Sequence, residues 1–327
     1  MRSSGVVFVG GLLAAVAGAA CGPAADPDVP NVDVATTEVA ATPGARTHAI
    51  RLSWPAATGH RGTFHAVSDE VTTKRAVDPP NDVEEKRRFV DAKGILEIVH
   101  ATADGSAASL RLSNASMRAS LGEGREVILD GATIVIDRAA DAEQTAVLVD
   151  GARASQDVRE ALDEVVSLAL SKGPSDDQVF GTRKPRVVGE SWPVPVESAR
   201  RTFAARSIRV PEGAITGEMK LAGVDVVNDV ECLEVVGSMR ITSFEPLDVP
   251  VGTTFQHALM DVQMRSVTPT VPMPRLEQDL VLTADILMTV DGRMFEIRSR
   301  NVFRGDYEPL TDMGAPVQPD APGDHQL

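Results

Sequence analysis

Residues 279–303, DLVLTADILMTVDGRMFEIRSRNVF, decide the fold class of this 327-residue chain. Two runs in which apolar and polar side chains alternate lie on either side of the pair Asp291-Gly292. Alternation with a period of two is the pattern of a strand that buries one face. Asp-Gly favours a two-residue turn because both residues tolerate positive φ. The stretch therefore predicts a long antiparallel hairpin.

The same alternation recurs through the middle of the chain. In THAIRLSW, residues 47–54, one side of the predicted strand collects His48, Ile50, Leu52 and Trp54. Further Asp-Gly pairs, each predicting a turn, stand at residues 104–105, 130–131 and 150–151. We expect a β-rich globular domain over residues 47–305, either as one unit or as two β subdomains joined by a helix.

One segment, SQDVREALDEVVSLALSKGP at residues 155–174, follows a helical period instead. Ser155 is a capping residue, and Gly173 and Pro174 close the pattern. Its apolar positions are Val158, Ala161, Leu162, Val165 and Leu168. The predicted fold is therefore mainly β (α+β): an antiparallel, strongly curved sheet or half-barrel, with one amphipathic helix at about 155–172 packed on it.

The amino-terminal segment has the layout of an export signal. Residues 5–20 contain no charged residue and are too short to span a bilayer. With Ala19, Ala20 and Cys21, the segment resembles the bacterial lipoprotein signal, in which small residues precede a cysteine that receives lipid. The resemblance implies a signal peptide over 1–20, lipidation of Cys21, and sorting to the outer membrane, since Gly22 is not the aspartate associated with inner-membrane retention.

Gly18 departs from this pattern, because an aliphatic residue usually stands there. The alternative is ordinary cleavage after Ala19 or Ala20, which leaves Cys21 unmodified and the protein soluble and secreted. Residues 22–46 contain no aromatic side chain and are rich in Pro, Ala and acids, so we expect a disordered tether. Residues 306–327 have the same composition and predict a disordered tail.

The charge of the chain excludes one class of partner. It carries 47 acidic and 32 basic side chains, for a formal net charge of −15. Such a surface repels phosphate backbones and anionic lipid headgroups, which argues against nucleic-acid binding and electrostatic membrane docking. Membrane association is then expected through the lipid on Cys21. If Cys21 is acylated, Cys232 has no intramolecular partner for a disulfide.

No motif predicts catalysis, a metal or a cofactor. The six histidines form no HExxH pair, and no cysteines stand at zinc spacing. His257, Met260 and Met264 are soft enough for copper, but on a strand His257 points away from both methionines. The adjacent acids Asp69-Glu70 and Asp176-Asp177 are expected to be solvated.

The segments KPRVVGESWPVPVE and VECLEVVG support a second resemblance. Strands, one helix, a Gly-x-x-Trp step at Gly189 to Trp192, and the strand with Cys232 follow in an order that resembles uncharacterised bacterial secreted lipoproteins of unknown function. This resemblance implies a β-rich exported domain and no catalytic residue.

The prediction for function is a membrane-anchored, non-enzymatic envelope lipoprotein that binds an apolar small molecule or an envelope protein. Flexible methionine side chains suit an apolar ligand of variable shape. The predicted lining residues are Leu162, Val165, Met260, Met264, Leu287 and Met288. The alternative is a structural or interaction module of the cell envelope with a filled core and no ligand cavity. An enzyme is the third and weakest hypothesis.

Overall fold

The computed structural model describes residues 46–78, 82–103, 105–139, 144–168, 174–247 and 249–310. The predicted signal peptide, Cys21 and the tether up to residue 45 lie outside the described residues, as do 169–173 and 311–327. The predictions for these segments therefore stay predictions.

The described chain forms strands over most of its length. They are β1 Arg61–Ala76, β2 Val83–Ala101, β3 Ala107–Ser120, β4 Glu126–Asp137, β5 Ala146–Val149, β6 Ala152–Arg153, β7 Ser191–Pro193, β8 Ile208–Arg209, β9 Ile215–Val227, β10 Val230–Ile241, β11 Glu245–Pro246, β12 Thr254–Pro269, β13 Glu277–Val290 and β14 Arg293–Pro309. The helices are α1 Gln156–Asp163, α2 Asp176–Val179 and α3 Val196–Ala204.

One large antiparallel sheet dominates the structure. Its strand order is β6-β5-β4-β3-β2-β1-β14-β13-β12-β10-β9-β7, and a small separate sheet pairs β11 with β8. Within the described residues the large sheet ends at β6 and β7 and does not close. The predicted fold class, mainly β and antiparallel, is confirmed.

The hairpin predicted from residues 279–303 is present as β13 and β14. Asp291 and Gly292 form its turn with φ of 49° and 78°, and Val290 pairs with Arg293. Asp150-Gly151 makes an equivalent turn between β5 and β6. β14 continues through Pro309, past the predicted domain end at residue 305, because Tyr307 still buries its ring on the sheet.

Asp130-Gly131 does not form the predicted turn. The pair lies inside β4. Leu129 pairs with Met117 and Ala132 pairs with Ala115, so Asp130 and Gly131 together stand opposite the single residue Ser116 of β3. This is a β-bulge, and Gly131 supplies the positive φ of 66° that such a bulge requires. The turn between β9 and β10 is instead made by Asn228 and Asp229, which also have positive φ.

The helical prediction is wrong in length and number. Ser155 caps α1 as expected, since its Oγ accepts a hydrogen bond from Val158 N. The helix ends at Asp163, whose carboxylate accepts from Leu168 N at 2.8 Å and turns the chain. Two further short helices, α2 and α3, are present. The apolar positions assigned to the helix are nevertheless all buried.

Residues 47–54 do not form the predicted strand. Their alternation does bury His48, Ile50 and Leu52, but the backbone makes only one isolated bridge, between His48 and Arg186. Other backbone groups of this segment bond to side chains, as in the donation from Leu52 N to Asp177 Oδ1 at 2.5 Å. Burial alone therefore produced the period-two pattern.

The large sheet buries one face, here called the inner face, and leaves the other, the outer face, partly exposed. In β13 the even-numbered residues from Gln278 to Met288 are buried, and the odd-numbered ones are partly exposed. The inner face shares one apolar core with side chains from residues 50–52, from all three helices and from Trp192. Trp192 is thus a core anchor, with Nε1 donating to Phe180 O at 2.8 Å.

Candidate functional site

Five of the six predicted lining residues are buried in the core behind the inner face. Met260, Met264 and Met288 project from β12 and β13, and they are buried in the same apolar cluster as Leu162 and Val165. Leu287 points to the outer face, where it stands between His257 and Glu296 on the neighbouring strands. Consecutive strand residues face opposite ways, so Leu287 and Met288 cannot line one cavity.

Three further methionines, which the lining prediction omitted, lie in the core behind the inner face. Met117 of β3, Met219 of β9 and Met239 of β10 are buried in this core together with the three methionines named above. Thioether side chains are flexible and polarizable, so a surface that they line can repack around different shapes. The alternation of apolar and polar residues in β3, β9 and β10 indicates that these three methionines face the core.

Three charged side chains interrupt the apolar inner face, and we call them the inner polar cluster: Glu70, Arg88 and Glu164. Glu70 of β1 stands opposite Arg88 of β2 in the strand register. Glu164 follows the last residue of α1, and its Oε1 lies 2.7 Å from Arg88 Nη2. The cluster therefore joins the sheet to the segment that contains the helix.

The two carboxylates of this cluster are almost fully buried. Glu70 is 3% exposed and Glu164 is 5% exposed. Burial raises the pKa of both carboxyl groups, to about 7 for Glu164, although the Arg88 guanidinium opposes the shift. Glu70 Oε1 receives long hydrogen bonds from Thr72 Oγ1 at 3.4 Å and Ser299 Oγ at 3.5 Å. Among the described residues, the second oxygen of each carboxylate has no hydrogen-bond partner, and neither has Arg88 Nε.

The inner polar cluster lies where the cover over the inner face ends. Beyond Glu70 and Arg88 the register pairs Thr72 with Lys86 and then Lys74 with Glu84. These four side chains are partly or fully exposed. The inner face is thus open to solvent towards the connection between β1 and β2.

The expectation that adjacent acids are solvated is wrong for Glu70. Asp69 faces outward and pairs with Arg87, at 2.7 Å between Oδ2 and Nη2, whereas Glu70 is buried. Asp176 and Asp177 bind Arg275 and the backbone of Leu52, respectively. The signal was present in FHAVSDE, since Glu70 has the same parity as the buried residues Phe64 and Ala66.

The outer face carries ion pairs and an open groove of about 460 Å³. Arg240 pairs with Asp261 at 2.7 Å, and Arg265 contacts Glu234 at 2.6 Å. The groove is bounded by Val71, Thr73, Leu259, Asp261, Thr283, Ala284, Asp285, Arg298, Ser299 and Arg300. A second groove, also about 460 Å³, runs beside α1 between Arg153 and Leu168. None of the six predicted lining residues borders either groove.

The described residues hold no group of three or more His, Cys, Asp or Glu side chains that could bind a metal ion. His257 lies on the exposed side of β12, away from Met260 and Met264, as strand geometry predicts. Cys232 is buried, and burial raises the pKa of its thiol. No helix among the described residues is long and apolar enough to cross a membrane.

No family model matches this chain, and no curated protein matches it. Similar solved structures include one on lipid-protein interactions in lipovitellin, with 11% identity over 80% of this chain and 26% of that chain, at a TM-score of 0.29. DynF, from the dynemicin biosynthesis pathway of Micromonospora chersina, has 6% identity over 83% of this chain and 90% of that chain, at 0.17.

A LolA superfamily protein from Nitrosomonas europaea has 10% identity over 80% of this chain and 90% of its own, at a TM-score of 0.13. This chain therefore spans about a quarter of the lipovitellin chain and most of the other two. Likenesses of this strength carry no argument about family, fold or ligand.

Proposed function

We propose that this protein is a non-enzymatic binding protein of the bacterial envelope that holds an apolar ligand against the inner face of its sheet. The segment 155–168, here called the cover segment, moves aside to admit the ligand. The sheet curves around this segment as a half-barrel. The observation that carries the proposal is a methionine-rich apolar face whose cover, formed also by residues 50–52, α2 and α3, includes one short, partly polar segment at α1.

The contacts of the cover segment support the proposal that this segment can move away from the sheet. Its apolar side chains, among them Leu162 and Val165, complete the core of the sheet. Its polar anchors include the buried Glu164 and the exposed Arg125, whose Nη1 lies 3.0 Å from Asp157 and 2.8 Å from Glu160. Thr145 adds two backbone contacts, since its O accepts from Arg159 Nη1 at 2.7 Å and its Oγ1 donates to Leu168 O at 2.8 Å. Exposed pairs contribute little, and a buried pair with unpartnered atoms is a weak source of stability.

Ligand binding is tested with the purified full chain. Organic extraction and mass spectrometry are expected to recover a co-purified lipid, and the fluorescent probe N-phenyl-1-naphthylamine is expected to bind saturably. Met264→Gln places a polar amide on the inner face and is expected to weaken probe binding. Met294→Gln, on a half-buried residue outside the core, is the matched control. Absence of both lipid and saturable binding contradicts the proposal.

The tether is the second component of the proposal. The lipoprotein-like signal supports acylation of Cys21, and several acyl chains make a lasting anchor, whereas one chain is marginal. Cys21→Ala is expected to move the protein from the membrane fraction to the soluble fraction. Cys232→Ala removes the other cysteine and is expected to leave fractionation unchanged. Membrane association of the Cys21 variant would refute lipidation.

A protein partner is the second candidate function, and the end of the sheet where β1 meets β2 favours it. Val77 N donates to Met294 O at 2.9 Å, which brings the β1–β2 connection against the β13–β14 turn. Val77 and Val83 are exposed here, and Val251, just before β12, is 98% exposed. We infer that these valines form one apolar surface, and a contiguous exposed apolar patch marks an interaction site. Cross-linking from this end in cells, lost in Val83→Asp with Val251→Asp, would support a partner.

A further inference from the structure

We propose that the inner polar cluster binds the cationic headgroup of an amphiphile whose apolar chain lies along the inner face. The ligand class is therefore a long-chain amine or a lipid with an ammonium headgroup. This inference rests on the proposed function and adds the chemistry of the ligand's polar end.

Unpartnered atoms are the first support. Within the part of the chain that the structure describes, the acceptors Glu70 Oε2 and Glu164 Oε2 are buried without a hydrogen-bond partner. A buried polar atom without a partner loses the hydrogen bonds that water would supply, and most such atoms in native proteins are satisfied. An ammonium group offers donors for both carboxylate oxygens at once. Because Glu70 and Glu164 are each more than nine-tenths buried, bulk water cannot take that role.

Charge is the second support. The cluster has two carboxyl groups and one guanidinium, and Asp163 and Glu160 add further negative charge around Glu164. Glu160 pairs with Arg125 at 2.8 Å and Asp163 lies near Arg138, so the excess negative charge is that of the cluster itself. Lys86 is engaged by Glu123 at 3.0 Å and Glu84 at 3.2 Å. A buried charge without a partner is costly. A cationic headgroup would neutralise the carboxylate charge that Arg88 alone leaves unpaired.

The register of the sheet is the third support. Thr72 pairs with Ser299, Ser299 with Ala284, and Ala284 with Met260. This row starts beside the inner polar cluster and crosses four strands, about 14 Å at the usual strand spacing. Polar side chains give way to apolar ones along it. A headgroup at the cluster thus places its chain against the methionines of β12.

The experiment compares three probes with one chain and different headgroups. Dodecylammonium, dodecanol and dodecanoate, each below its micelle concentration, displace N-phenyl-1-naphthylamine from the full chain at pH 8. We expect dodecylammonium to bind about tenfold more tightly than dodecanol, the scale of one charge-assisted hydrogen bond, and dodecanoate to bind most weakly. Glu70→Gln with Glu164→Gln keeps the side-chain shapes and is expected to abolish this order. Asp279→Asn with Asp285→Asn, both on the outer face, is the charge-matched control.

The outcomes separate this inference from the proposed function. Equal binding of the three probes, or tightest binding of dodecanoate, overturns the headgroup inference and leaves apolar binding intact. Failure of every probe, including the naphthylamine, overturns both. Should the double variant not fold, Glu164→Gln alone is expected to reduce the preference for dodecylammonium about threefold or more. An unchanged preference in a folded variant also overturns the inference.

Discussion

Glu164 has an unusual environment for a carboxyl group in a small β-rich domain. It follows the last residue of α1, is almost fully buried, and shares Arg88 with Glu70. Burial raises its pKa from the ordinary 4.5 to about 7, with Glu70, Asp163 and Glu160 adding to the shift. The position therefore links the protonation of one residue to the stability of the fold.

Glu164→Gln is expected to change how stability depends on pH. A raised pKa in the folded state means that Glu164 stabilises the fold below about pH 4.5 and that this contribution is lost as pH rises to about 7. Relative to the wild type, the free energy of unfolding of Glu164→Gln should therefore rise by about 2–3 kcal/mol between pH 5 and pH 8. Urea denaturation at both pH values measures it.

Glu97→Gln is the control for this measurement. Glu97 pairs with Arg111 on a partly exposed part of β2, so the substitution makes the same change in charge away from the inner face. Parallel curves of stability against pH for the wild type and Glu164→Gln would show that Glu164 has an ordinary pKa in the folded protein.

At the scale of elements, the close packing of β9 on β10 depends on a glycine. A Cβ atom on Gly237 would lie 2.1 Å from Met219 Sδ and 2.8 Å from Glu218 O. The side chain of Met219 therefore covers Gly237 across the pair of strands. Because Gly237 has no side chain, Met219 reaches the core at a point where a side chain on residue 237 would collide with it.

Gly237→Ala is expected to destabilise the protein by about 1–3 kcal/mol, because the added methyl overpacks the inner face. In a Met219→Ala background the same substitution should cost less, since the colliding thioether is gone and only the contact with Glu218 O remains. The two changes should therefore couple in a double-mutant cycle. Gly223→Ala in β9 is the control, with its nearest neighbour, Glu234 Oε2, at 3.4 Å. Additive effects of the two substitutions would contradict this account of the packing.

At the scale of the whole molecule, residues 46–54 tie the end of the predicted tether to the domain. Arg275 is 5% exposed, and its Nε donates to Leu52 O at 3.0 Å while Nη2 bonds to Asp176. Asp177 accepts from Leu52 N, and Trp54 Nε1 donates to Pro269 O at 2.7 Å. These contacts hold residues 52–54 against the parts of the chain around Arg275 and Pro269.

Arg275→Ala is expected to free this segment. Removing one partner of a buried ion pair costs about 3–5 kcal/mol, and Leu52 O also loses its donor. Trypsin should then cleave after the exposed Arg51 at least tenfold faster, the scale of about 1.4 kcal/mol in local opening. Arg293→Ala, at the far end of the sheet, is the control. Equal cleavage in both variants would show that Arg275 does not hold the segment.

Period-two alternation could be read directly from the chain because each strand of the large sheet has one buried face. That pattern predicted the mainly β antiparallel fold and the hairpin of β13 and β14. It also predicted the inward direction of Met260, Met264 and Met288. It did not distinguish the strand prediction for residues 47–54 from an extended segment bonded to side chains, because both bury alternate residues.

Turns and helix ends were less predictable, since they depend on what packs beside them. Asp130-Gly131 has the composition of a turn and forms a bulge because β3 continues alongside it. The helical spacing of residues 155–168 reflects burial against the sheet, but Asp163 ends α1 by accepting from Leu168 N.

The sequence by itself determined the fold class, the buried face of each long strand and the resemblance to an exported, lipid-anchored protein. These properties follow from local patterns of polar and apolar residues and from the residue types at turns. Only the tertiary structure brought together Glu70, Arg88 and Glu164, which come from two strands and the end of a helix. No local sequence pattern predicts that these three residues lie together, because strand register and helix placement depend on the packing of the whole core.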